Sequence, residues 1–170
     1  MKLNLGCGTD RRKDCINIDK EAGMGIVGYD LNELPYPFRN DSCEEIHAYH
    51  ILEHLFDFEW TMRELHRILK KGGRLFIKVP HFTSQGAYQP YHIFYFNFDA
   101  FNYLCGELET TSLDNRKLFN LIHRKIILLK GKWLHNHLIE PIINLIPRIY
   151  ESCFLCYLFP AKEVFVILEK

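Results

Sequence analysis

Short apolar runs alternate with polar connections along the first eighty residues, a pattern typical of strands joined by loops and helices. The runs with the length and composition of buried strands are Lys2–Leu5, Cys15–Asp19, Ile26–Tyr29, Glu45–Tyr49 and Arg74–Val79. Between the fourth and fifth runs, apolar residues recur at helical spacing after Asp57, a candidate N-cap. Cations and glycines at Lys70–Gly73 are expected to close that helix, while two prolines make residues 34–38 a loop.

The second half of the chain has a weaker periodic pattern. The aromatic stretch His81–Asn97 is predicted to be a long loop beside a site, and Asp99 is expected to cap a short helix ending near Leu104. The remaining predicted elements are a strand at Leu108–Leu113, a strand or a helix within residues 116–134, short helices at His135–Ile146 and Arg148–Tyr157 divided at Pro147, and a terminal strand at Glu163–Glu169.

Candidate ligand-binding residues follow the strand ends. Gly6 and Gly8 come directly after the first strand, where the lack of a Cβ lets a ligand approach the backbone. Asp19 ends the second strand and can accept hydrogen bonds from ribose hydroxyls, while Asp30 and Tyr49 follow the third and fourth strands. Because open α/β sheets bind ligands outside the carboxyl ends of their strands, the sequence predicts such a sheet with an adenosine-containing cofactor.

The spacing of the glycine segment helps to decide which cofactor it suits. A dinucleotide fingerprint requires a third glycine and a phosphate-binding helix, but Thr9, Asp10 and Arg11 follow Gly8. Residues 6–14 leave about nine positions between the strands, fewer than the dozen that a helical crossover needs. S-adenosylmethionine has no pyrophosphate, so the segment favours it over a nicotinamide cofactor. A tight glycine turn between two core strands is the alternative interpretation.

Composition and charge narrow the classes of function. The chain has 170 residues, 48% of them hydrophobic, and a formal net charge of zero, which suits one globular domain and gives no general attraction to nucleic acid. Six scattered cysteines fit reduced thiols in a cytoplasmic protein, and no apolar run reaches the roughly 18 residues of a membrane span.

The region 116–148 is locally basic, with seven Lys or Arg residues against one acid, Glu140. Residues 117–149 combine these cations with many Leu and Ile residues. This mixture fits a cap for an anionic or lipid-linked substrate, with peripheral contact to a membrane surface. An ordinary amphipathic helical cover with a solvated basic face is the favoured interpretation, and the acceptor-side cap stays open as the other.

The order of the motifs resembles the class I S-adenosylmethionine-dependent methyltransferases, and within them a small, type-11-like branch. The matching segments are LNLGCG (3–8), INID (16–19), YDLNELPYPF (29–38), YHILEHL (49–55), RELHRILKKGGRLFIKVP (63–80) and AKEVFVILEK (161–170). The resemblance covers residues 1–80 well and 81–105 loosely. It implies one domain, with a cofactor-binding half at 1–80 and an acceptor-side loop, helical cover and last strands at 81–170.

The resemblance also implies a Rossmann-like, mostly parallel seven-stranded sheet with a terminal antiparallel hairpin. By position, the backbone of Gly6, Cys7 and Gly8 would pass under the methionine half of the cofactor. Asp19 would hold the ribose hydroxyls, Asp30 the adenine amino group and the Leu31 backbone the ring edge. Tyr49 and His50 would border the methionine ammonium and the transferred methyl group.

A hydroxyl acceptor usually benefits from a general base, and two histidines are the candidates for that role. His81 directly follows the fifth strand, and His50 follows the fourth. The acceptor is expected to be a small molecule or a glycan- or lipid-linked intermediate, methylated on oxygen or nitrogen. His47, His50 and His54 are not expected to converge on a metal ion.

The compressed first crossover keeps a second class of function open. One face of the sheet is expected to be thinly covered, and a partner subunit of a homodimer or the basic C-terminal third could cover it. A non-catalytic methyltransferase-like domain, used for binding or assembly, is the alternative to an enzyme.

Overall fold

The computed structural model describes residues 1–106, 117–128 and 135–170, and for residues 135 and 136 it describes the backbone alone. The described residues contain one seven-stranded sheet of spatial order β3-β2-β1-β4-β5-β7-β6. Its strands are β1 (Lys2–Leu5), β2 (Ile16–Asp19), β3 (Ile26–Gly28), β4 (Cys43–Tyr49), β5 (Leu69–Pro80), β6 (Asn120–Leu128) and β7 (Ala161–Glu169). Strands β1 to β5 pair in parallel, and β7 runs antiparallel to both β5 and β6. The predicted Rossmann-like sheet with its antiparallel end is therefore confirmed.

Four α-helices accompany the sheet in the described ranges: α1 (Phe58–Ile68), α2 (Glu140–Leu145), α3 (Pro147–Ser152) and α4 (Leu155–Leu158). Single turns of tighter helix occupy Leu52–His54, Gln85–Tyr88 and Asn102–Cys105, and a wider turn, His135–Ile139, leads into α2. Asp57 caps α1 as predicted, since its carboxylate accepts a hydrogen bond from Trp60 N at 3.0 Å. None of the helices in these ranges has the length and apolar character required to cross a membrane.

The end of α1 differs from the prediction. Residues 70–73 were expected to close the helix, but α1 ends at Ile68 and the backbone of Leu69 is already extended. Leu69 pairs with Cys43 of β4, so sheet pairing begins earlier than the cations and glycines indicated. Within residues 116–134 the strand alternative is correct for β6, whereas the predicted strand at 108–113 lies outside the described residues.

The main hydrophobic core lies between the sheet and α1, and the aromatic segment after β5 closes one side of it. Met62, Leu65 and Ile68 of α1 are fully buried against the sheet. Phe96 and Phe101 stack on one another at 5.7 Å between ring centroids and extend this core. A second, smaller core lies under α2, α3 and α4.

Two features of the sheet determine the position of the site. The connection from β1 to β2 contains no helix, and the nearby edge is exposed, with Met24 90% and Val27 53% accessible. This edge of the sheet is therefore open to solvent, whereas the thin cover of one sheet face stays a prediction. At the other end, the β5–β7 register places Glu163 opposite Pro80, so the start of β7 lies beside the carboxyl end of β5.

Candidate active site

The glycine segment after β1 forms a tight turn whose first residue, Gly6, packs closely against Ile51. Gly6 and Gly8 both have left-handed backbones, with φ of +59° and +46°. A Cβ on Gly6 would lie 2.7 Å from the Ile51 side chain, so only glycine fits there. The Gly8 N–H donates to Asp19 Oδ2 at 2.7 Å, which ties this turn to the tip of β2.

A cleft of about 620 Å³ opens beside this turn at the carboxyl ends of the first three strands. Four of the predicted cofactor residues line it: Gly6, Asp19, Asp30 and Leu31. Asp30 accepts a hydrogen bond from the Asn32 backbone and lies 2.9 Å from Lys20 Nζ, and both contacts lower the pKa of its carboxyl group. The cleft therefore presents carboxylates next to an apolar wall.

The apolar wall of the cleft comes from the end of β3, the turn after β4 and the aromatic loop after β5. Its members are Tyr29, Ile51, Leu55, Phe56, Pro90, Tyr91 and Ile93. The Ile93 N–H donates to the Glu53 carbonyl oxygen at 2.7 Å and so holds the aromatic loop against the turn after β4. Because Ile93 lies about forty residues beyond Glu53, no short sequence pattern indicates that these two segments contact each other.

A second pocket, of about 250 Å³, shares Gly6 with the cleft. Cys7, Tyr49 and His50 line it, together with Lys78 and Glu163 from β5 and β7, whereas the predicted cofactor residue Gly8 lines neither pocket. The Arg12 guanidinium and the Lys78 ammonium lie 4.6 Å and 4.4 Å from the Tyr49 ring centroid. This pocket therefore combines an aromatic ring, cations and a carboxylate.

His50 is held between two carboxylates. Its Nε2 lies 3.3 Å from Glu163 Oε1, and its Nδ1 lies 3.5 Å from Glu53 Oε1. The contact with Glu163, and then the contact with Glu53, raise the pKa of His50 to about 9, while His50 and Lys162 lower the pKa of Glu163 to about 2. At neutral pH His50 is therefore an imidazolium, which can donate a proton in a hydrogen bond but cannot accept one.

His81, the other candidate base, lies in the protein interior. It is 0% exposed, with Nε2 2.9 Å from Glu151 Oε1 and Nδ1 2.7 Å from Thr83 Oγ1. It lines neither the cleft nor the second pocket. Glu151 also accepts from the Phe98 N–H at 2.6 Å, so His81 joins the end of β5 to α3 and the aromatic loop.

Two further hollows border the second pocket or the aromatic loop. One, of about 280 Å³, is polar and shares His50 and Glu163 with the second pocket. The other, of about 540 Å³, is an aromatic groove lined by Phe58, Phe82, Phe94, Tyr95, Phe96 and Tyr103. The loop at 81–97 thus borders several hollows, which agrees with the position predicted for it.

Comparisons with known proteins agree with this geometry. A family model described as a methyltransferase domain matches residues 7–77, which contain Cys7, Gly8, Asp19, Asp30 and the fourth strand. No curated protein matches the sequence significantly.

Solved structures with the same fold cover almost the whole chain. A SAM-dependent methyltransferase from Archaeoglobus fulgidus aligns over 99% of this chain and 85% of its own, with a TM-score of 0.62 and 18% identity. One from Mesorhizobium loti aligns over 99% and 90%, with a TM-score of 0.54 and 15% identity. A SAM-dependent methyltransferase from Thermotoga maritima, described as a possible histamine N-methyltransferase, aligns over 99% and 80%, with a TM-score of 0.57 and 17% identity.

The residues present also fit the cofactor, because Gly6 and Asp19 both line the cleft at the carboxyl ends of the first strands. The match to a methyltransferase domain over residues 7–77 supports methyltransferase activity, and the solved structures show that the chain shares the fold of SAM-dependent methyltransferases.

Proposed function

We propose that the protein transfers the methyl group of S-adenosylmethionine to an oxygen or nitrogen atom of a small-molecule or a glycan- or lipid-linked acceptor. The observation that carries the proposal is the position of Gly6, which borders both the large cleft and the second pocket. When bound, S-adenosylmethionine supplies an activated methyl group on a sulfonium, so the protein mainly has to bind and orient the reactants.

The cleft is proposed to hold the adenosine half. Asp19 Oδ2 accepts from Gly8 N and Oδ1 from Lys20 N, and each carboxylate oxygen keeps a second lone pair for a ribose hydroxyl. Asp30 is proposed to accept from the adenine amino group, and the Leu31 backbone to meet the ring edge. The exposed Lys20 side chain can leave Asp30 without disturbing the core.

The second pocket is proposed to hold the methionine half. The backbone of Gly6 and Cys7 and the side chain of Tyr49 would border it. The carboxylate of Glu163 places negative charge where the ammonium and sulfonium would lie. His50 is proposed to donate a hydrogen bond at neutral pH, since Glu163 and Glu53 keep its proton in place.

The acceptor class is proposed from the surface of the C-terminal helices. Large apolar side chains are exposed there on α2, α3 and α4 and beside them: Ile142, Leu145, Ile149, Phe154, Tyr157 and Leu158, with Leu145 81% accessible. Monomeric proteins rarely expose so many neighbouring apolar side chains without a use. Together with the basic charge of residues 117–149, this supports a lipid-linked acceptor and peripheral contact with a membrane surface. Six free thiols support a cytoplasmic location.

Calorimetric titration with S-adenosylmethionine, S-adenosylhomocysteine and NAD tests the proposal. We expect micromolar binding of the first two and none of NAD. Asp19→Ala should weaken binding at least about tenfold, because it removes hydrogen bonds to a charged group. Asp14→Ala is the matched control, since Asp14 is an exposed aspartate that pairs with Lys2 outside both pockets.

The results of this titration and of an activity screen distinguish an active methyltransferase from a non-catalytic binding domain. Failure of the wild-type protein to bind either sulfur compound would contradict the proposal. Binding that is lost in Asp19→Ala, without turnover on any acceptor in a screen of hydroxyl and amine compounds, would favour the non-catalytic alternative.

A further inference from the structure

Three potential metal ligands converge beside the second pocket. Glu53 and His54 lie on the turn after β4, and His92 lies on the aromatic loop after β5. Each offers one ligand atom, and these atoms all lie within 4.8 Å of one another. They border the polar hollow that contains His50 and Glu163.

The carboxylate of Glu53 is deeply buried and poorly satisfied. The residue is 1% exposed, and neither carboxylate oxygen has a hydrogen-bond partner among the described residues. Its one charged neighbour in the described chain is His50, whose Nδ1 lies 3.5 Å from Oε1. Because a buried carboxylate normally has hydrogen bonds, an ion partner or a metal ion, Oε2 is available to bind a cation.

His92 has the same deficiency, and it comes from a different segment. Its Nδ1 is buried and has no hydrogen-bond partner in the described part of the chain. The His92 and His54 rings meet at 4.5 Å between centroids with their planes 82° apart. Two unsatisfied polar groups from separate segments therefore lie at the same place.

His54 has the surroundings of a metal-binding histidine. Its Nδ1 lies 3.3 Å from the Tyr91 carbonyl oxygen, so the Nδ1–H tautomer donates there and leaves the Nε2 lone pair available. Histidines that bind metals commonly donate their other ring N–H to a backbone carbonyl in this way.

We propose that Glu53, His54 and His92 form a binding site for one divalent cation of the zinc type. Two imidazoles and a carboxylate are a donor set found in zinc sites that keep an open position. Ligand atoms around tetrahedral zinc lie about 3.3 Å apart. The present separations of up to 4.8 Å would thus close by about 1.5 Å, a side-chain movement.

The neighbouring positive charge of His50 is compatible with this site. His50 keeps Glu163 as a partner at 3.3 Å when Glu53 turns to the metal, and Glu53 Oε2 has no ion pair to lose. The open position would face the polar hollow, where the metal could bind an oxygen atom of the acceptor. That last role rests on the proposed function, whereas the metal site itself does not.

Titration of untagged, chelator-treated protein with zinc tests the site. Calorimetry measures the binding, and S-adenosylmethionine is left out of the solution. We expect one zinc ion per chain with micromolar or tighter affinity, and Glu53→Gln and His92→Asn each at least about tenfold weaker. His123→Asn is the matched control, because His123 is an exposed histidine on β6 far from the three ligands in sequence and should bind as the wild type does.

Cobalt absorption gives a second readout that does not depend on activity. Cobalt(II) in the wild-type site should give the intense visible bands of four- or five-coordinate ions, and His92→Asn should lose them. Far-UV circular dichroism shows whether each variant folds. If Glu53→Gln does not fold, the test depends on His92→Asn, which changes a loop residue.

Absence of zinc binding at 100-fold excess over protein would overturn the proposal, as would equal zinc affinity in folded variants and wild type. Asp19→Ala should bind zinc normally, so failure of the metal site and failure of the cofactor site give different results.

Discussion

Gly6→Ala should destabilise the protein through two separable causes. The first is the backbone, since Gly6 has φ of +59°, where a side chain is strained. The second is the neighbour, because the new Cβ would lie 2.7 Å from Ile51 Cδ1 and Cγ1 and 2.8 Å from Ile51 Cβ. These distances are well inside van der Waals contact, so Ile51 or the glycine segment must move.

The magnitude follows from adding the two causes. A left-handed backbone costs about 1–2 kcal/mol and overpacking about 1–3 kcal/mol, so Gly6→Ala should lower the free energy of unfolding by about 2–5 kcal/mol. Gly8→Ala is the matched control: its φ is +46°, but a Cβ there meets nothing within 4 Å. It should therefore show the backbone cost alone, about 1–2 kcal/mol.

Urea denaturation of the two variants and the wild type measures this difference. A domain of this size loses about 2–4 °C in Tm per kcal/mol, so thermal scans should rank the variants in the same order. A cycle with Ile51→Gly isolates the clash, because it removes all three contacting Ile51 atoms, and Gly6→Ala should then cost about 1–3 kcal/mol less. Equal costs for Gly6→Ala and Gly8→Ala, together with no coupling to Ile51, would refute the reasoning.

Two further predictions concern ion pairs. The His50–Glu163 pair should contribute its full stability between about pH 4.5 and 6.5. Above this range the contribution is lost as the pH rises through the His50 pKa of about 9. Below this range the contribution is lost as the pH falls through the Glu163 pKa of about 2. Glu163→Gln should flatten that profile in urea melts from pH 4.5 to 9.5, and an unchanged profile would count against the pair. Arg67→Ala should cost about 2–4 kcal/mol, because Arg67 donates to Glu64, Asn40 and the carbonyls of Tyr36 and Phe38. Lys70→Ala, which breaks the exposed pair with Glu44, should cost under about 1 kcal/mol in the same urea assay, and similar losses in both variants would argue against a special role for Arg67.

The features that depend on neighbouring residues could be predicted from the sequence. The strand limits of β1 and β2, the Asp57 cap and the helix-free first crossover follow from short apolar runs, a capping residue and too few positions for a helix. The relation between Gly8 and Asp19 is of the same kind, since it needs only adjacent parallel strands.

The features that depend on distant pairing could not be predicted in this way. Leu69 leaves the helix because Cys43 pairs with it, and His81 is buried because Glu151 of α3 reaches it. His50 stays protonated because the β5–β7 register places Glu163 beside it, more than a hundred residues along the chain. Nothing within a short window of sequence specifies these contacts.

The place of β7 in the sheet has a consequence for the order of folding. β6 pairs only with β7 among the described strands, so β6 has no position in the sheet until residues 161–169 have been synthesised. Until then β5 also presents an open edge, which other chains could extend. The last strand delivers Glu163 to His50 as well, so the sheet and the second pocket are completed in one late step. A ribosome-bound chain that stops before residue 161 should therefore be open to misassociation although its first five strands have left the tunnel.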